Sequence, residues 1–249
     1  MNTQINTASL QIPSPADIVH NSSSINNGDS IFSYFWNSGF LIKTVIISLL
    51  VASIYSWAII ISKYIKIKRV NKDGDYFEEE FWSGTPLDML YKQLRNSSFD
   101  PMTNVFCAAM AEWEQANVYI NQNNVKYSLE QRIDRAMQIA IKKEINDLEK
   151  GLTFLSTVGS NGVIVGLFGT VVGILNGFKV IATQQSASIA TVGPVISEAL
   201  FTTAFGILTS IPAAIAYNKY MDEVNRYINR LEVFADELSS IITRQCNEN

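Results

Sequence analysis

Residue types that build catalytic and metal sites are scarce in this chain of 249 residues. It has one histidine, His20, and two cysteines, Cys107 and Cys246. The sequence contains no metal-ligand spacing, no nucleophile motif and no paired carboxylates within an apolar stretch. It therefore predicts a protein that is not an enzyme and that holds no metal or other cofactor.

Basic clusters are also missing. The net charge is −4, and acidic and basic residues alternate along the polar segments. Proteins that bind nucleic acid present a concentrated basic surface to the phosphate backbone. The composition therefore argues against nucleic acid as a partner.

Charged residues are absent from three long stretches, and these define the class of the protein. They comprise residues 44–62, 151–178 and 199–218. Roughly 20 helical residues, at about 1.5 Å each, cross the ~30 Å hydrocarbon core of a bilayer. Each stretch is predicted to span the membrane, which makes lipid a partner. The third is less apolar and contains Pro212, so a buried soluble helix is its alternative, although membrane helices tolerate proline.

The predicted fold class is all-α, with long helical extensions beyond the spans. Apolar residues recur every three or four positions from Leu129 to Leu155 and from Tyr220 to Ile241, as on one face of a helix. A further helix is expected over 87–119, interrupted by Pro101. The predicted order is an exported tail (1–39), a transmembrane helix (40–62), a cytoplasmic helical region (63–150), a transmembrane helix (151–178), a short periplasmic loop (179–197), a transmembrane helix (198–218) and a cytoplasmic C-terminal helix (219–249).

The distribution of lysine and arginine predicts the orientation. Residues 63–150 hold thirteen of the nineteen basic residues and the segment from 219 onward holds four. Basic residues are retained on the cytoplasmic side. The N-terminus is therefore predicted to be periplasmic and the C-terminus cytoplasmic.

The second span carries a glycine stripe at steps of three and four residues, which places the glycines on one helix face. Its members are Gly159, Gly162, Gly166, Gly169, Gly173 and Gly177. Each glycine costs about 1 kcal/mol of helix propensity relative to alanine, so the stripe predicts close approach to another helix. The third span has a matching stripe of small residues: Ala199, Thr203, Gly206, Ser210 and Ala213.

Polar residues within the spans are the other functional candidates. Thr157 lies on a different side of the second span from the glycines, Thr202 and Thr203 lie in the third span, and Glu198 adjoins it. Intramembrane polar groups commonly face a bundle interior or a water-filled path. A threonine can instead satisfy its hydroxyl on its own helix, and Glu198 can be an ordinary interfacial charge.

Four segments carry a resemblance to a known family. The segments FLSTVGSNGVIVGLFGTVVGIL and EALFTTAFGILTSIPAAIAYN resemble the second and third spans of the proton-driven inner-membrane motor family that includes TolQ, ExbB and MotA. SWAIIISK and FEEEFWSGTPLDMLY are similar to the TolQ branch rather than the ExbB branch. The resemblance covers about residues 40–245.

The resemblance implies a bacterial inner-membrane ring, a homopentamer around the single helices of two TolR subunits. It implies work in the Tol–Pal system, where the proton-motive force acts through TolA on outer-membrane integrity and on constriction in cell division. It also implies that Thr157 and Thr203 line an interior facing the partner's aspartate, and that Glu198 matches the family's glutamate. The alternatives are an ExbB-type energiser of TonB-dependent import and a non-conducting helical scaffold.

The need for a partner also follows from charge. One elementary charge moving through 100 mV releases about 2.3 kcal/mol, but only a titratable group within the field can use that energy. No aspartate lies within a predicted span. The chain is therefore expected to translocate protons only together with a partner that supplies the aspartate.

Overall fold

The structure is a computed structural model that describes residues 40–95, 100–117, 126–185 and 188–248. Within these ranges all regular structure is α-helical, which confirms the predicted all-α class. The predicted tail 1–39 lies outside them. The helices are α1 (Phe40–Trp82), α2 (Leu87–Leu94), α3 (Pro101–Asn117), α4 (Lys126–Glu149), α5 (Leu152–Gln184) and α6 (Ile189–Glu248).

Helices α1, α5 and α6 are long and apolar enough to cross a membrane. They contain the three charge-free stretches, so the prediction of three membrane helices is confirmed. In α6 the helix continues through Pro194 and Pro212. The neighbouring helices and side-chain hydroxyls of a membrane bundle compensate for the hydrogen bonds that such prolines remove.

The helices extend well beyond the apolar stretches. Helix α1 has 43 residues and α6 has 60. The range 179–197, expected as a loop, is mostly helical, because α5 continues to Gln184 and α6 begins at Ile189. The end of an apolar stretch marks the edge of the membrane, whereas a helix ends where its backbone changes conformation, here at the left-handed Gln185 (φ 51°).

Beyond the spans, the distal parts of α1 and α6 pack with α3 and α4 into a helical bundle, here called the extramembrane bundle. Four aromatic rings form its centre, with centroids 5.2 to 6.0 Å apart. These rings belong to Phe77, Phe81, Phe106 and Phe234. Aromatic pairs at these distances add stabilisation beyond their buried area.

A polar joint connects the base of the first span to the start of the second. The Lys63 ammonium is buried and donates a 2.7 Å hydrogen bond to the Leu148 carbonyl, near the end of α4. Asp147 pairs with both Lys66 and Lys150, and these hydrogen bonds lower the pKa of Asp147 to about 2. The chain then turns into α5 at Gly151, whose φ of 85° favours glycine.

Asp100 connects α3 to α6 in the extramembrane bundle. One carboxylate oxygen accepts hydrogen bonds from the backbone amides of Met102 (3.0 Å) and Thr103 (3.2 Å) and so caps α3. The other accepts a 3.1 Å bond from the Tyr227 hydroxyl of α6. That hydroxyl lies against Gly74 of α1. Pro101, expected to interrupt the segment 87–119, is the first residue of α3, where its missing amide hydrogen has no cost.

Burial is the main cause of the pKa shift of Asp100. It raises the pKa of Asp100 above its ordinary value, although the Thr103, Tyr227 and Met102 hydrogen bonds oppose that rise. A raised pKa means that the charged carboxylate is the costly form in the folded protein. The stabilising part of Asp100 is therefore its hydrogen-bonding geometry rather than its charge.

Because geometry rather than charge stabilises the fold here, two substitutions at Asp100 should have different effects. Asp100→Ala removes the cap and leaves the Tyr227 hydroxyl unpaired, so it should destabilise the bundle by about 1–3 kcal/mol. Asp100→Asn keeps one oxygen to cap α3, and its amide NH2 can donate to the Tyr227 hydroxyl oxygen, so this variant should remain near the parent. Thermal unfolding in detergent, followed by circular dichroism, measures both. Equal melting temperatures for the Ala variant and the parent would contradict this account.

Candidate functional site

The glycine stripe of α5 packs directly on α6. A Cβ built on Gly166 would lie 3.1 Å from the Thr203 Cα and 3.1 Å from the Thr202 carbonyl oxygen, closer than ordinary contacts. One built on Gly159 would lie 3.0 Å from the Ala214 backbone, and one on Gly162 would overlap the Ser210 hydroxyl. The two backbones therefore approach as closely as the absence of side chains allows.

Because the helices approach closely, a backbone carbonyl of α5 can accept a hydrogen bond from a threonine of α6. The Thr203 hydroxyl donates to the Gly166 carbonyl across the helix pair at 3.0 Å. Thr170, one turn along α5, contacts the Thr203 hydroxyl and lies 3.3 Å from the same carbonyl. The result is a hydroxyl cluster, defined here as Thr170, Thr203 and the Gly166 carbonyl. It combines exchangeable protons with an acceptor inside a span.

Thr202 has a different environment from its neighbour Thr203. It is fully buried, its methyl group packs against Gly169, and its hydroxyl donates to the Glu198 carbonyl of its own helix at 3.1 Å. Thr203 is only half-buried, and its hydroxyl crosses to α5. Of the two residues, Thr203 therefore contributes its hydroxyl to the helix interface, while Thr202 fills space.

Glu198 lies just over one turn before Thr203 on α6. Its Oε1 atom is buried and has no hydrogen-bond partner among the residues that the structure describes. Burying a carboxylate oxygen without a partner is costly in a protein and more so beside hydrocarbon. The adjacent Ala199 is packed on Gly173, so the backbone that carries Glu198 is fixed against α5.

Thr157 does not join this cluster. Its exposed hydroxyl bonds to the Thr153 carbonyl of its own helix at 2.8 Å. At about 100° per residue it lies on the far side of α5 from α6, nine residues and about 14 Å along the axis from Gly166. Ser160 and Asn161 are exposed beside it, so this part of α5 has a polar surface that α6 does not cover.

The structure assigns Thr170 to the site, whereas the sequence reasoning left it without a role. A signal was present, because Thr170 stands four residues after Gly166 and therefore on the glycine stripe. A hydroxyl on a stripe of small residues faces the partner helix rather than lipid.

Comparison with known proteins assigns the class. Residues 97–233 match the model of the MotA/TolQ/ExbB proton channel family. The chain belongs to this family, and it is a multi-pass protein of the inner membrane. This confirms the resemblance drawn from the two span segments.

Relatives of the TolQ type match along most of their length. The chain is 40% identical to the Tol-Pal system protein TolQ of Pseudomonas aeruginosa over 87% of this chain and 94% of that protein. It is 36% identical to TolQ of Haemophilus influenzae over 85% of this chain and 92% of that protein. The biopolymer transport protein ExbB of Xanthomonas campestris is 29% identical over 78% of each chain.

The close packing of α5 and α6 predicts that alanine at the closest glycine destabilises the helix pair. Gly166→Ala should force α5 and α6 apart and lower the unfolding temperature in detergent, because the atoms it meets are backbone that cannot rotate away. Gly177→Ala is the matched control, since its Cβ would lie 3.8 Å from the Val195 side chain, an ordinary contact. That variant should gain up to about 1 kcal/mol of helix propensity. A Gly166→Ala protein as stable as the control would contradict the close-packing account.

Proposed function

We propose that this chain is the TolQ-type subunit of a Tol–Pal motor, in which the proton-motive force acts through TolA on the outer membrane. The hydroxyl cluster carries the proposal, since it places polar groups between two spans that apolar side chains would otherwise fill. The greater identity to TolQ than to ExbB relatives supports the choice of branch.

The proposed assembly is a homopentamer around the single helices of two TolR subunits. The support is the unpartnered Glu198 oxygen and the absence of any aspartate from the spans of this chain. A buried carboxylate oxygen requires a donor, and a proton-driven cycle requires a titratable group in the field. In this proposal the hydrogen-bond donor and the titratable group both come from other chains. A non-conducting scaffold would leave the Glu198 oxygen without a function.

The proposed orientation has a periplasmic N-terminus and a cytoplasmic C-terminus. The extramembrane bundle, which includes the distal parts of α1 and α6, holds most of the lysine and arginine residues, and such residues stay in the cytoplasm. The end of α5, the start of α6 and Glu198 are then on the periplasmic side.

In this orientation the proposed proton path begins near Glu198 and passes the hydroxyl cluster with Thr203. Thr157, on the exposed far side of α5, is proposed to line the cytoplasmic end of the path. Other subunits or the partner, rather than α6, would cover it there. This role of Thr157 is supported by the adjacent polar surface with Ser160 and Asn161, which would be unfavourable against lipid.

Two neighbouring threonines give a matched test of this path. Thr203→Val keeps the shape but removes the hydroxyl that reaches Gly166, and we expect motor activity to fall by about tenfold or more, equivalent to roughly 1.4 kcal/mol. Thr202→Val removes a hydroxyl that bonds only to its own helix and should retain activity. Outer-membrane integrity, measured as survival in bile salts, reports activity at matched protein levels.

Thr157→Val in the same assay tests the cytoplasmic end, where we also expect a loss. Normal survival of cells that carry both Thr157→Val and Thr203→Val would contradict the motor proposal. Survival with Thr157→Val alone, but not with Thr203→Val, would remove only Thr157 from the path.

The identity of the partner separates the two branches of the family. Affinity capture of the tagged chain from native membranes should recover TolR and TolA, because the chain is closer to TolQ relatives. The matched control is the same membrane preparation with an untagged chain. Recovery of ExbD and TonB in their place would assign the chain to TonB-dependent import.

A further inference from the structure

An acidic groove with exposed apolar walls runs between α1 and α6 on the extramembrane bundle. Trp82 of α1 and Val233 of α6 form its walls, each with 58% of its surface exposed, and the buried Phe234 also lines it. Exposed side chains of this size at one place indicate a contact surface. The groove, as used below, consists of Glu78, Trp82, Asn229, Arg230, Val233, Phe234 and Glu237.

The charge of the groove is negative. Arg230 is its only cation, and that guanidinium is already bound by Asp75 (2.6 Å) and Glu78 (2.8 Å). Glu237 is exposed and forms no ion pair with any residue that the structure describes. An occupant of the groove therefore needs an apolar side chain for the walls and a cation for Glu237.

The outward face of α4 has this composition. Ile139 is 60% exposed there, and Arg135 and Lys142 lie within one turn of it on the same face. Neither cation forms an ion pair within the described ranges. This basic face and the acidic groove belong to the same chain but cannot meet within it. On α6, Ser239 faces α4 through Asp134, whereas Val233 and Glu237 lie about 120° and 160° away from it around the helix.

The two surfaces lie at similar depths below the membrane, within about 4 Å of each other. At about 1.5 Å per residue, Val233 is about 22 Å beyond the third span and Ile139 about 18 Å before the second. By the same measure Glu237 lies at about 28 Å and Arg135 at about 24 Å. Because α6 leaves the membrane and α4 returns to it, one antiparallel register pairs Val233 with Ile139 and Glu237 with Arg135. Subunits related by an axis normal to the membrane must match in depth in this way.

We propose that the acidic groove of one copy binds the basic face of α4 from the next copy. The contact joins two different surfaces, so it is head-to-tail and generates a ring when the rotation closes. It deepens the proposed function, because it rests on the proposed ring and names the surfaces that hold that ring together outside the membrane.

Disulfide capture between two differently marked chains tests the contact. One chain carries Val233→Cys and the other, with a different tag, carries Ile139→Cys, and both are expressed in the same cell. Oxidation of native membranes should give a mixed dimer, since a disulfide needs Cβ atoms about 3.8 Å apart. A single chain with both substitutions should give a ladder that ends at the closed ring. The parent chain with its native cysteines sets the background.

Met89→Cys paired with Ile139→Cys is the matched control, because Met89 is similarly exposed but lies on α2. It should give no mixed dimer. Absence of the Val233–Ile139 dimer, or capture of Val233→Cys only by another protein, would overturn the proposed contact.

Charge reversal tests the same register. Glu237→Arg and Arg135→Glu should each shift the complex in mild detergent from the ring toward single chains, and the double variant should restore the ring. Native mass spectrometry measures the masses. A parent ring whose mass is unchanged in both single variants overturns this interface and leaves the proposed motor function standing. A parent chain that is monomeric in native membranes by cross-linking overturns the proposed ring as well.

Discussion

Helices α5 and α6 approach so closely that, over several turns, glycine on α5 faces only backbone or small side chains of α6, and the site depends on this contact. A methyl group at Gly166 would press on the backbone of Thr202 and Thr203. Lipid tails are as apolar as leucine, so membrane helices gain little from burying large side chains. Close packing and interhelical hydrogen bonds provide the association instead. Glycine allows both, because its lack of a side chain lets the backbones approach and leaves its carbonyl accessible.

The hydroxyl cluster is a direct consequence of that packing. A backbone carbonyl within a helix is normally screened by neighbouring side chains, but the Gly166 carbonyl can accept the Thr203 hydroxyl from α6. The polar groups are thus held within the closely packed contact between α5 and α6. Glu198, on the same helix, keeps a buried oxygen without a donor in the described chain. This unsatisfied acceptor beside a closely packed helix pair is the feature on which the proposed partner contact rests.

The length and lack of charge of three stretches predicted the spans, and residue spacing predicted the glycine face, because hydropathy and helical spacing are local properties. These local properties could not show which glycines and threonines contact the other helix, because that depends on how the two helices cross. Gly177 continues the stripe but makes no close contact, since the helices diverge there. Thr157 has the same chemistry as Thr203 yet lies on the far side of α5. The link between Asp100 and Tyr227 joins residues 127 positions apart in sequence and leaves no local pattern.

The extramembrane bundle divides its charges into two groups. Those that connect its helices are paired, as Arg230 is with Asp75 and Glu78, and Asp147 is with two lysines. Others, including Glu237 on α6 and Arg135 on α4, have no partner within the described chain and stand beside exposed apolar side chains. Isolated surface charges contribute little to the stability of a single chain. Their placement at similar depth supports the proposed contact between subunits, which would extend the association of membrane helices from the α5–α6 pair of one subunit to its neighbour.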